Sequence, residues 1–412
     1  MKTGNREKAA FKLKMGCLIL LPAIICLFTT TCTVRDEKDN SDSPNSFTKI
    51  YDDPNYDNDY YPCDIKQDSD GGYIILARSA YPYSPYLLKI NQAGKKEWGK
   101  KIDQTYDDPI REIHIGEDGY YFFCEYRSSS NPVLLRVKQN EEPTEEAVFY
   151  GSSPVSASFL SGKEYLLITT TGHYSWSPTY IKYTQDDIDG VKYPYGGCGY
   201  SEREFHLTGK IGDEYFYYQT YSKQDTGNES TFPNKNDPCF KLRISGLDSG
   251  PFECDINIPF IALKLHNIPA PTDCDNLKVS GAIEREGAER KYIEFIINGT
   301  INGTSRMDVR ELSATYPVYI EEMNIDNKDY IFFAGTTVFQ SIKLYAYDLE
   351  APNVQPKTKI FGVANSYYAY GLIKTTDNGL AILGETYVSS AGSRICLIKL
   401  SEKDLIEMVR GN

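Results

Sequence analysis

The sequence predicts an all-β chain that folds as a single seven-bladed β-propeller of four-stranded antiparallel blades. Three observations lead to this fold class. A tight turn of Asp, Asn and Gly recurs inside apolar runs, with a period of about fifty residues. Runs of strand length separate the turns, and no long helical period interrupts them. Each repeat holds four such runs, which is the composition of a propeller blade.

The recurring turn joins the first and second strands of a unit. Gly or Asn supplies the positive φ that a tight hairpin needs, and the Asp side chain caps the turn. Such a turn is too short to gather the several oxygen ligands of a calcium site. The clearest copies are "DSDGGYIILARS" (Asp68–Ser79), "GEDGYYFFCEYRS" (Gly116–Ser128), "NIDNKDYIFFAGT" (Asn324–Thr336) and "TTDNGLAILGET" (Thr375–Thr386).

The third and fourth strands of the unit also recur. In the first unit the third strand is "YLLKIN", and similar runs return as "VLLRVK", "TYIKYT", "CFKLRI", "IKLYAY" and "CLIKLS". In the first unit the fourth strand is "EWGKKI", and similar runs return as "EAVFYG", "FECDI" and "KTKIFG". These runs place the unit boundaries near residues 97, 146, 192, 252, 307 and 358. The fifth unit, from 257 to about 314, is irregular, and six or eight blades remain possible.

The two ends of the chain predict how the ring closes. The segment "SFTKIYDD" repeats the fourth strand of other units, whereas "RICLIKLSEKDL" ends on a third strand followed by little. Residues 47–51 should therefore supply the outer strand of the last blade. This pairing removes an exposed sheet edge. The propeller is accordingly expected to span residues 47–412.

The N-terminal segment has the features of an export signal. A basic stretch precedes the apolar run "MGCLILLPAIICLF", which is too short for a confident membrane span. The run "TTTC" ends at Cys32 and resembles a lipobox, although Thr29 stands where Leu is usual. We expect a signal peptide over 1–31, lipidation of Cys32 and a disordered acidic tether over 32–46. Ordinary signal-peptide cleavage near the threonines is the alternative.

Composition limits the partners and the chemistry. The net charge of −13 disfavours a nucleic-acid backbone. The four histidines lie at no metal-ligand spacing, no CxxC occurs, and neither a metal nor another cofactor is implied. Beyond the N-terminal segment the chain carries seven cysteines. Cys124 and Cys396 fall in apolar strands and should be buried thiols, whereas Cys239, Cys254 and Cys274 lie near turns and are better candidates for a disulfide.

The repeat "DGGY … YLLK … G … W" resembles that of propellers found in many exported Bacteroidota lipoproteins. The resemblance covers nearly the whole chain after the tether, although the Trp of the repeat occurs once, as Trp98. It implies the propeller fold and an exported outer-membrane lipoprotein. It carries over no catalytic motif. An acidic stretch after the lipidated Cys further resembles a surface-export signal.

Aromatic residues are segregated to one predicted face of the propeller. The loops between blades, and those between second and third strands, share that face and are rich in Tyr, whereas the opposite loops, such as "QNEEPTEE" and "TQDDIDG", are charged. Tyr packing between blades would be the ordinary explanation for any single residue. As a set they predict a surface that binds a glycan or a protein. The candidate residues are Tyr56, Tyr60, Tyr81, Tyr83, Tyr106, Tyr174, Trp176, Tyr195, Tyr367 and Tyr368.

Catalytic signatures are absent from the sequence. No GxSxG, HExxH or P-loop occurs, and the scattered histidines single out no Ser-His-Asp triad. Acidic pairs at Asp52–Asp53 and Asp107–Asp108 lie on the predicted aromatic face. A glycan-active enzyme that uses these carboxylates is therefore the alternative to a binding protein, because glycosidases pair two carboxyls across the scissile bond.

Overall fold

The structure is a computed structural model, and the residues that it describes belong to one compact unit, Ser43–Asn412. In the central part of the chain it describes mainly the backbone of the strands. The described residues are 45–52, 59–80, 83–149, 153–159, 165–171, 175–184, 187–192, 206–211, 214–221, 239–246, 250–255, 258, 260–266, 277–285, 287–288, 290–300, 306–362, 365–388 and 392–411.

The described strands form seven antiparallel sheets, which are numbered here in chain order. Sheet 1 contains β2 (Tyr60–Gln67), β3 (Tyr73–Ser79), β4 (Pro85–Ile90) and β5 (Lys96–Lys101). Sheet 2 contains β6 (Tyr106–Asp107), β7 (Ile113–Gly116), β8 (Gly119–Tyr126), β9 (Pro132–Val137) and β10 (Thr144–Val148). Sheet 3 contains β11 (Ser153–Phe159), β12 (Tyr165–Thr171), β13 (Ser175–Thr184) and β14 (Asp187–Lys192).

The remaining sheets repeat this order. Sheet 4 contains β15 (His206–Ile211), β16 (Glu214–Tyr221), β17 (Cys239–Gly246) and β18 (Gly250–Asp255). Sheet 5 contains β19 (Phe260–Leu265), β20 (Lys278–Arg285), β21 (Tyr292–Thr300) and β22 (Met307–Val309). Sheet 6 contains β23 (Val318–Ile325), β24 (Lys328–Thr336), β25 (Ile342–Asp348) and β26 (Lys357–Phe361). Sheet 7 contains β27 (Tyr367–Lys374), β28 (Leu380–Val388), β29 (Gly392–Leu400) and β1 (Phe47–Tyr51).

This arrangement confirms the all-β propeller fold. First strands of neighbouring sheets lie against one another, as β2 does with β27 and β7. The apolar run of β3 faces two neighbours: Ile75 and Ala77 pack with sheet 7, whereas Ile74 and Leu76 pack with sheet 2. Side chains alternate between the faces of a strand, so a strand buried on both faces has a continuous apolar run. The number of blades stays a prediction.

The recurring acidic turn and the third-strand lysine form one structural unit. Gly71 has a φ of 79°, and the Gly72 amide donates to Asp70 across the turn. Lys89, whose side chain is only 4% exposed, lies 2.9 Å from Asp68 and 2.8 Å from Asp70. The same cation-to-turn pair recurs between Lys399 and Asp377 at 2.9 Å, and between Arg136 and Asp118 at 2.6 Å.

The predicted closure of the ring is confirmed. Strand β1 pairs antiparallel with β29 over its full length, from Phe47 opposite Lys399 to Tyr51 opposite Ile395. It forms the outer edge of sheet 7, whose order is β1-β29-β28-β27. Phe47 and Tyr51 are buried between sheets 7 and 1.

Two details of the sequence-based architecture are corrected. The predicted boundaries fall on residues of the fourth strands, but these outer strands pair with the third strands of their own sheets, so each sheet ends after its fourth strand and the linker follows. The last third strand is followed by a helix, α1 (Glu402–Arg410). Ser401 and Asp404 form a capping box at its start, and Leu405 and Val409 pack into the core between sheets 6 and 7.

The helix cap also holds the beginning of β1. The Ser46 hydroxyl donates to the Asp404 carboxylate, and the Ser401 amide donates to Ser46 Oγ at 3.0 Å. Burial alone raises the pKa of Asp404, but hydrogen bonds from Ser46 and Ser401 lower it further, so its net pKa is below the usual value. The cap therefore stabilises the closure at any pH where Asp404 is ionised.

Replacing Asp404 by Ala should destabilise the protein by about 1–3 kcal/mol, because Ser46 and Ser401 lose a charged acceptor. The depressed pKa places this contribution above the unfolded pKa, and it is lost as the pH falls through the folded pKa. Urea unfolding at neutral and acidic pH measures both effects. Glu402→Ala is the control, because Glu402 is exposed in the same first turn of the helix. An equal loss of stability in both variants would contradict the role of the cap.

Candidate functional site

One face of the propeller combines the linkers between sheets with the hairpins between second and third strands. We call this the linker face. Backbone hydrogen bonds fasten its hairpins to its linkers: Ala80 donates to Asp59, and Asp108 donates to Tyr83. The same arrangement recurs where Tyr387 donates to Ser366. Side chains on this face are therefore carried by loops that the scaffold positions, as binding residues commonly are.

An arginine and several tyrosines meet where the first strands begin; this group is called the axial mouth. Its members are Arg111 from the linker before β7, Tyr316 and Tyr319 from the linker and start of β23, and Tyr368 and Tyr370 from β27. Tyr61 of β2 is counted with them by its position at the start of a first strand, and its own ring lies against Arg78, 5.6 Å from the guanidinium Cζ. The Arg111 guanidinium lies over the Tyr319 ring, with its Cζ 4.1 Å from the centroid, and Nη2 donates to the Tyr370 carbonyl at 3.2 Å. The rings of Tyr316 and Tyr368 lie 4.9 Å apart.

Burial differs among these tyrosines. Tyr319 is buried, whereas Tyr61, Tyr316, Tyr368 and Tyr370 remain partly exposed. Burial, and then the charge of Glu385, which accepts its hydrogen bond, raise the pKa of Tyr370 above its usual value. Tyr370 therefore keeps its proton at neutral pH, and the partly exposed tyrosines offer ring faces and hydroxyl groups.

Strand β2 also carries charged groups, and they lie close to the linker before β7. Lys66 lies 3.2 Å from Glu112 and 3.9 Å from Asp64, and Asp64 accepts the Ile113 amide at 2.8 Å. Burial lowers the pKa of Lys66, but the two carboxylates raise it further, so the net shift is upward. Burial raises the pKa of Glu112, and the charge of Asp64 raises it further. Together these two effects outweigh the lowering of this pKa by Lys66. Lys66 therefore stays charged between two carboxyl groups.

A second acidic group lies on the hairpin and linker of sheet 2. Asp108 pairs with Arg78 at 2.6 Å, and Asp107 pairs with Arg127 at 3.1 Å. Burial, followed by the charge of Asp108, raises the pKa of Glu125 to about 7. A carboxyl that titrates near neutrality thus lies beside two carboxylates that are paired with arginines.

Glu125 should make the stability of the protein fall as the pH rises. Its folded pKa of about 7 exceeds the ordinary value of 4.5, so the folded state binds more protons between these values. The cost is fully present only above about pH 7. Between about pH 5 and about pH 8 the melting temperature of Glu125→Gln should therefore fall less than that of the wild type. Exposed Glu141→Gln should behave as the wild type, and an unchanged pH profile in Glu125→Gln would contradict the assignment.

The structure places the sequence-predicted site residues differently from one another. Tyr83 is exposed on the hairpin of sheet 1, and Tyr368 belongs to the axial mouth. Tyr106 is partly buried, stacks on Tyr126 and donates to Glu145 at 2.6 Å. The backbone of Trp176 lies in β13 opposite Thr170, while its side chain, with Tyr56, Tyr81, Tyr174, Tyr195 and Cys32, lies outside the described residues.

Tyr60 and Tyr367 require a correction, because neither is available on the linker face. Tyr60 is 1% exposed, and its ring centroid lies 4.5 Å from that of Tyr86 in the core. Tyr367 is 3% exposed and packs between sheets 6 and 7. Each is the first residue of a first strand, where a side chain can turn into the packing between sheets and no longer reach the loops.

Several residues of the linker face escaped the sequence analysis. Arg111 and Tyr370 belong to the axial mouth, and Phe339 and Tyr387 are exposed on hairpins of sheets 6 and 7. Phe339 is 86% exposed. Phe339 offered a usable signal, since it lies in the loop between the second strand β24 and the third strand β25, whereas Tyr387 lies near the end of the second strand β28. Arg111 carried none, because a single Arg in a linker belongs to no repeat.

A serine, a histidine and a glutamate meet elsewhere, in sheets 5 and 6. His266 lies 2.6 Å from Ser280 Oγ and 3.0 Å from a carboxylate oxygen of Glu322. These distances are those of a catalytic triad. The sequence analysis had not singled out any such triad. Ser280 is nevertheless 0% exposed, and its Oγ accepts the Asn298 amide at 2.9 Å. A substrate cannot reach this hydroxyl, so the three residues join strands of two sheets as a buried polar contact.

The cysteine assignments agree with the sequence where they are described. Cys124 and Cys396 are buried free thiols, and burial raises the pKa of both. Cys63 is a third free thiol, partly buried in β2. Within the described ranges, no group of three His, Cys, Asp or Glu side chains is placed to hold a metal ion. No helix among these residues is long and apolar enough to cross a membrane.

Comparisons with known proteins report solved structures of similar shape. The chain is similar to Drosophila Semaphorin 2a, with 9% identity and a TM-score of 0.48, over 87% of this chain and 75% of that one. It is also similar to the β-propeller domain of the Trilobed protease from Pyrococcus furiosus, with 11% identity and a TM-score of 0.45, over 84% and 98%. Trypanosoma rangeli sialidase matches with 9% identity and a TM-score of 0.41, over 89% and 60%. No family model and no curated protein sequence matches the chain.

Proposed function

We propose that the protein is a non-catalytic binding protein whose linker face takes a glycan. One observation carries this proposal: Arg111 is held by Tyr319 and Tyr370, and the partly exposed rings of Tyr316 and Tyr368, which contact each other, come from the same two strand starts. The loops that surround them are fixed by backbone hydrogen bonds. A preformed site of this kind loses little conformational entropy on binding.

The side chains of the mouth favour a sugar over the apolar core of a protein interface. Tyrosine offers a ring face for the C–H groups of a sugar and a hydroxyl for its polar groups. In the described structure the large exposed apolar residues lie away from the mouth, on the outer hairpins as Phe339 and Tyr387 do, or on edge strands as Ile50 and Ile360 do. A protein partner of the outer hairpins is therefore the competing outcome.

Binding of immobilised glycans by residues 45–412 tests the proposal. Tyr61→Ala and Tyr368→Ala should each weaken binding by about 1–3 kcal/mol, the range of interface anchors, while stability changes little because both rings are partly exposed. Glu141→Lys, on the opposite face, is the control and should alter neither property. Binding that survives both tyrosine substitutions but is lost in Phe339→Ala would move the site to the outer hairpins and contradict the proposal.

A glycan-active enzyme is the second candidate, and Glu125 is the observation that favours it. A carboxyl of pKa about 7 can donate a proton at neutral pH, while the nearby Asp107 and Asp108 stay paired with arginines. Acid and base carboxyls of distinct pKa are the requirement of glycoside hydrolysis. Product release from a polysaccharide panel that is abolished by Glu125→Gln would establish this activity; binding without product would exclude it for that panel.

We also propose that the protein is exported and anchored through a lipid on Cys32, displayed at the cell surface. The sequence features described above support this: the basic and apolar N-terminal segment, the Thr-rich stretch before Cys32 and the acidic tether. Mass spectrometry of the membrane fraction should find a lipid-modified Cys32 as the first residue. A product cleaved elsewhere and released from membranes would contradict the anchor.

A further inference from the structure

Arg111 is held in place without being neutralised. Its guanidinium rests on the buried ring of Tyr319 and donates to one backbone carbonyl. Its side chain remains exposed, and among the described residues no carboxylate lies within ion-pair distance of it. The neighbouring cations differ in this respect: Arg78 pairs with Asp108, and Lys66 lies between Glu112 and Asp64.

The geometry of this contact preserves the binding capacity of the guanidinium. A planar guanidinium stacked on an aromatic ring is fixed in orientation while the donors on its edge stay accessible. Carboxylates and phosphates are the anions whose oxygens match two neighbouring N–H groups of this fork. The side chain is thus arranged to bind an anion that does not belong to the described part of the chain.

The surroundings of Arg111 select among anions. The protein carries a net charge of −13. Close to the mouth, the charge of Asp64 acts on Tyr319, and Glu112 interacts with Arg111. A polyanion with dense charge would be repelled here. A ligand with one carboxylate among many hydroxyls would pair with Arg111 and place its neutral parts on the tyrosines.

We propose that Arg111 binds the carboxylate of an acidic sugar, so that the linker face prefers acidic over neutral glycans. This rests on the proposed function, because the tyrosines of the mouth are taken to hold the rest of the sugar. An acidic peptide would offer the same carboxylate, but its backbone would not use the ring faces of Tyr61 and Tyr368 in the way that sugar C–H groups do. The proposal is therefore confined to glycans.

The experiment compares each acidic oligosaccharide with its own methyl ester, which removes the charge and keeps the sugar. The probes are a tetrasaccharide with a single glucuronate and sialyllactose, each of which carries one carboxylate, titrated calorimetrically into residues 45–412. At least one acid should bind about tenfold or more tightly than its ester, as expected for a charge-assisted bidentate contact. Salt should weaken binding of the acid and leave the ester unaffected.

Variants assign the effect to Arg111. In Arg111→Ala the acid and its ester should bind equally, and Arg111→Lys should restore part of the preference. Arg290→Ala is the matched control, because Arg290 is also exposed and donates to a backbone carbonyl, that of Arg310, away from the mouth. Unchanged melting temperatures should show that all three variants fold.

Each remaining outcome is decisive. Equal binding of acid and ester by the wild type, or a preference that survives in Arg111→Ala, would overturn the assignment of Arg111 while leaving glycan binding intact. A capped peptide with a single glutamate that binds as tightly as the best sugar would overturn the confinement to glycans. If neither acidic nor neutral sugars bind, the proposed function itself fails.

Discussion

A chain that begins at residue 53, and so lacks β1, should lose most of its folding stability relative to a chain that begins at residue 45. The deletion removes the buried side chains of Phe47 and Tyr51 and the whole pairing with β29. Loss of one large buried aromatic costs about 3–5 kcal/mol. Two of them, together with an edge strand, approach the entire free energy of unfolding of an ordinary domain.

Urea unfolding followed by circular dichroism measures this loss, and point variants separate its parts. Phe47→Ala should cost about 3–5 kcal/mol, because its ring is buried. Ile50→Ala on the same strand should cost much less, since Ile50 is 36% exposed. A shortened chain that unfolds within about 1 kcal/mol of the longer one would show that β1 does not close the ring.

Lys89→Met is expected to produce a large loss of folding stability for a single charge substitution. The lysine is almost fully buried between Asp68 and Asp70, and Tyr120 also donates to Asp68. Removing one partner of a buried ion pair leaves an uncompensated charge and costs about 3–5 kcal/mol. Arg136→Met tests the same position of the repeat in sheet 2, where the arginine is 21% exposed and its partners Asp118 and Glu146 are 54% and 21% exposed. It should cost less, about 1 kcal/mol, because these charges stay in contact with water.

The effect of Lys89 should also depend on pH. Burial raises the pKa of Asp68, but hydrogen bonds from Lys89 and Tyr120 lower it further, so the net pKa lies below its usual value. The contribution of the pair is therefore present above the unfolded pKa and disappears as the pH falls through the folded one. Wild type and Lys89→Met should converge in stability at acidic pH. A difference that persists unchanged there would contradict the ion-pair explanation.

Much of the architecture followed from local sequence rules. The acidic turns and the alternation of apolar strands are short-range signals, and the resemblance of "SFTKIYDD" to other fourth strands revealed the closure. Helix α1 was missed although its signal was present, as Ser401 and Asp404 form a capping box before the apolar residues Leu405 and Val409. The run of strand repeats before it concealed the change of period.

The candidate site was less accessible to sequence reasoning. The aromatic linker face was predicted from loop positions, but Tyr60 and Tyr367 proved to be core residues. A tyrosine at a strand start can enter either the loop surface or the packing between sheets, and tertiary contacts decide which. The contact of Arg111 with Tyr319 joins residues about two hundred positions apart, and no local pattern could bring them together.

A crystal structure of residues 45–412 with the acidic oligosaccharide that binds most tightly would test the central claim most directly. The account predicts the sugar carboxylate within hydrogen-bond distance of the Arg111 guanidinium, at about 2.7–2.9 Å, with sugar rings against Tyr61 or Tyr368. A sugar bound on the opposite face, or at the outer hairpins with Arg111 untouched, would contradict it.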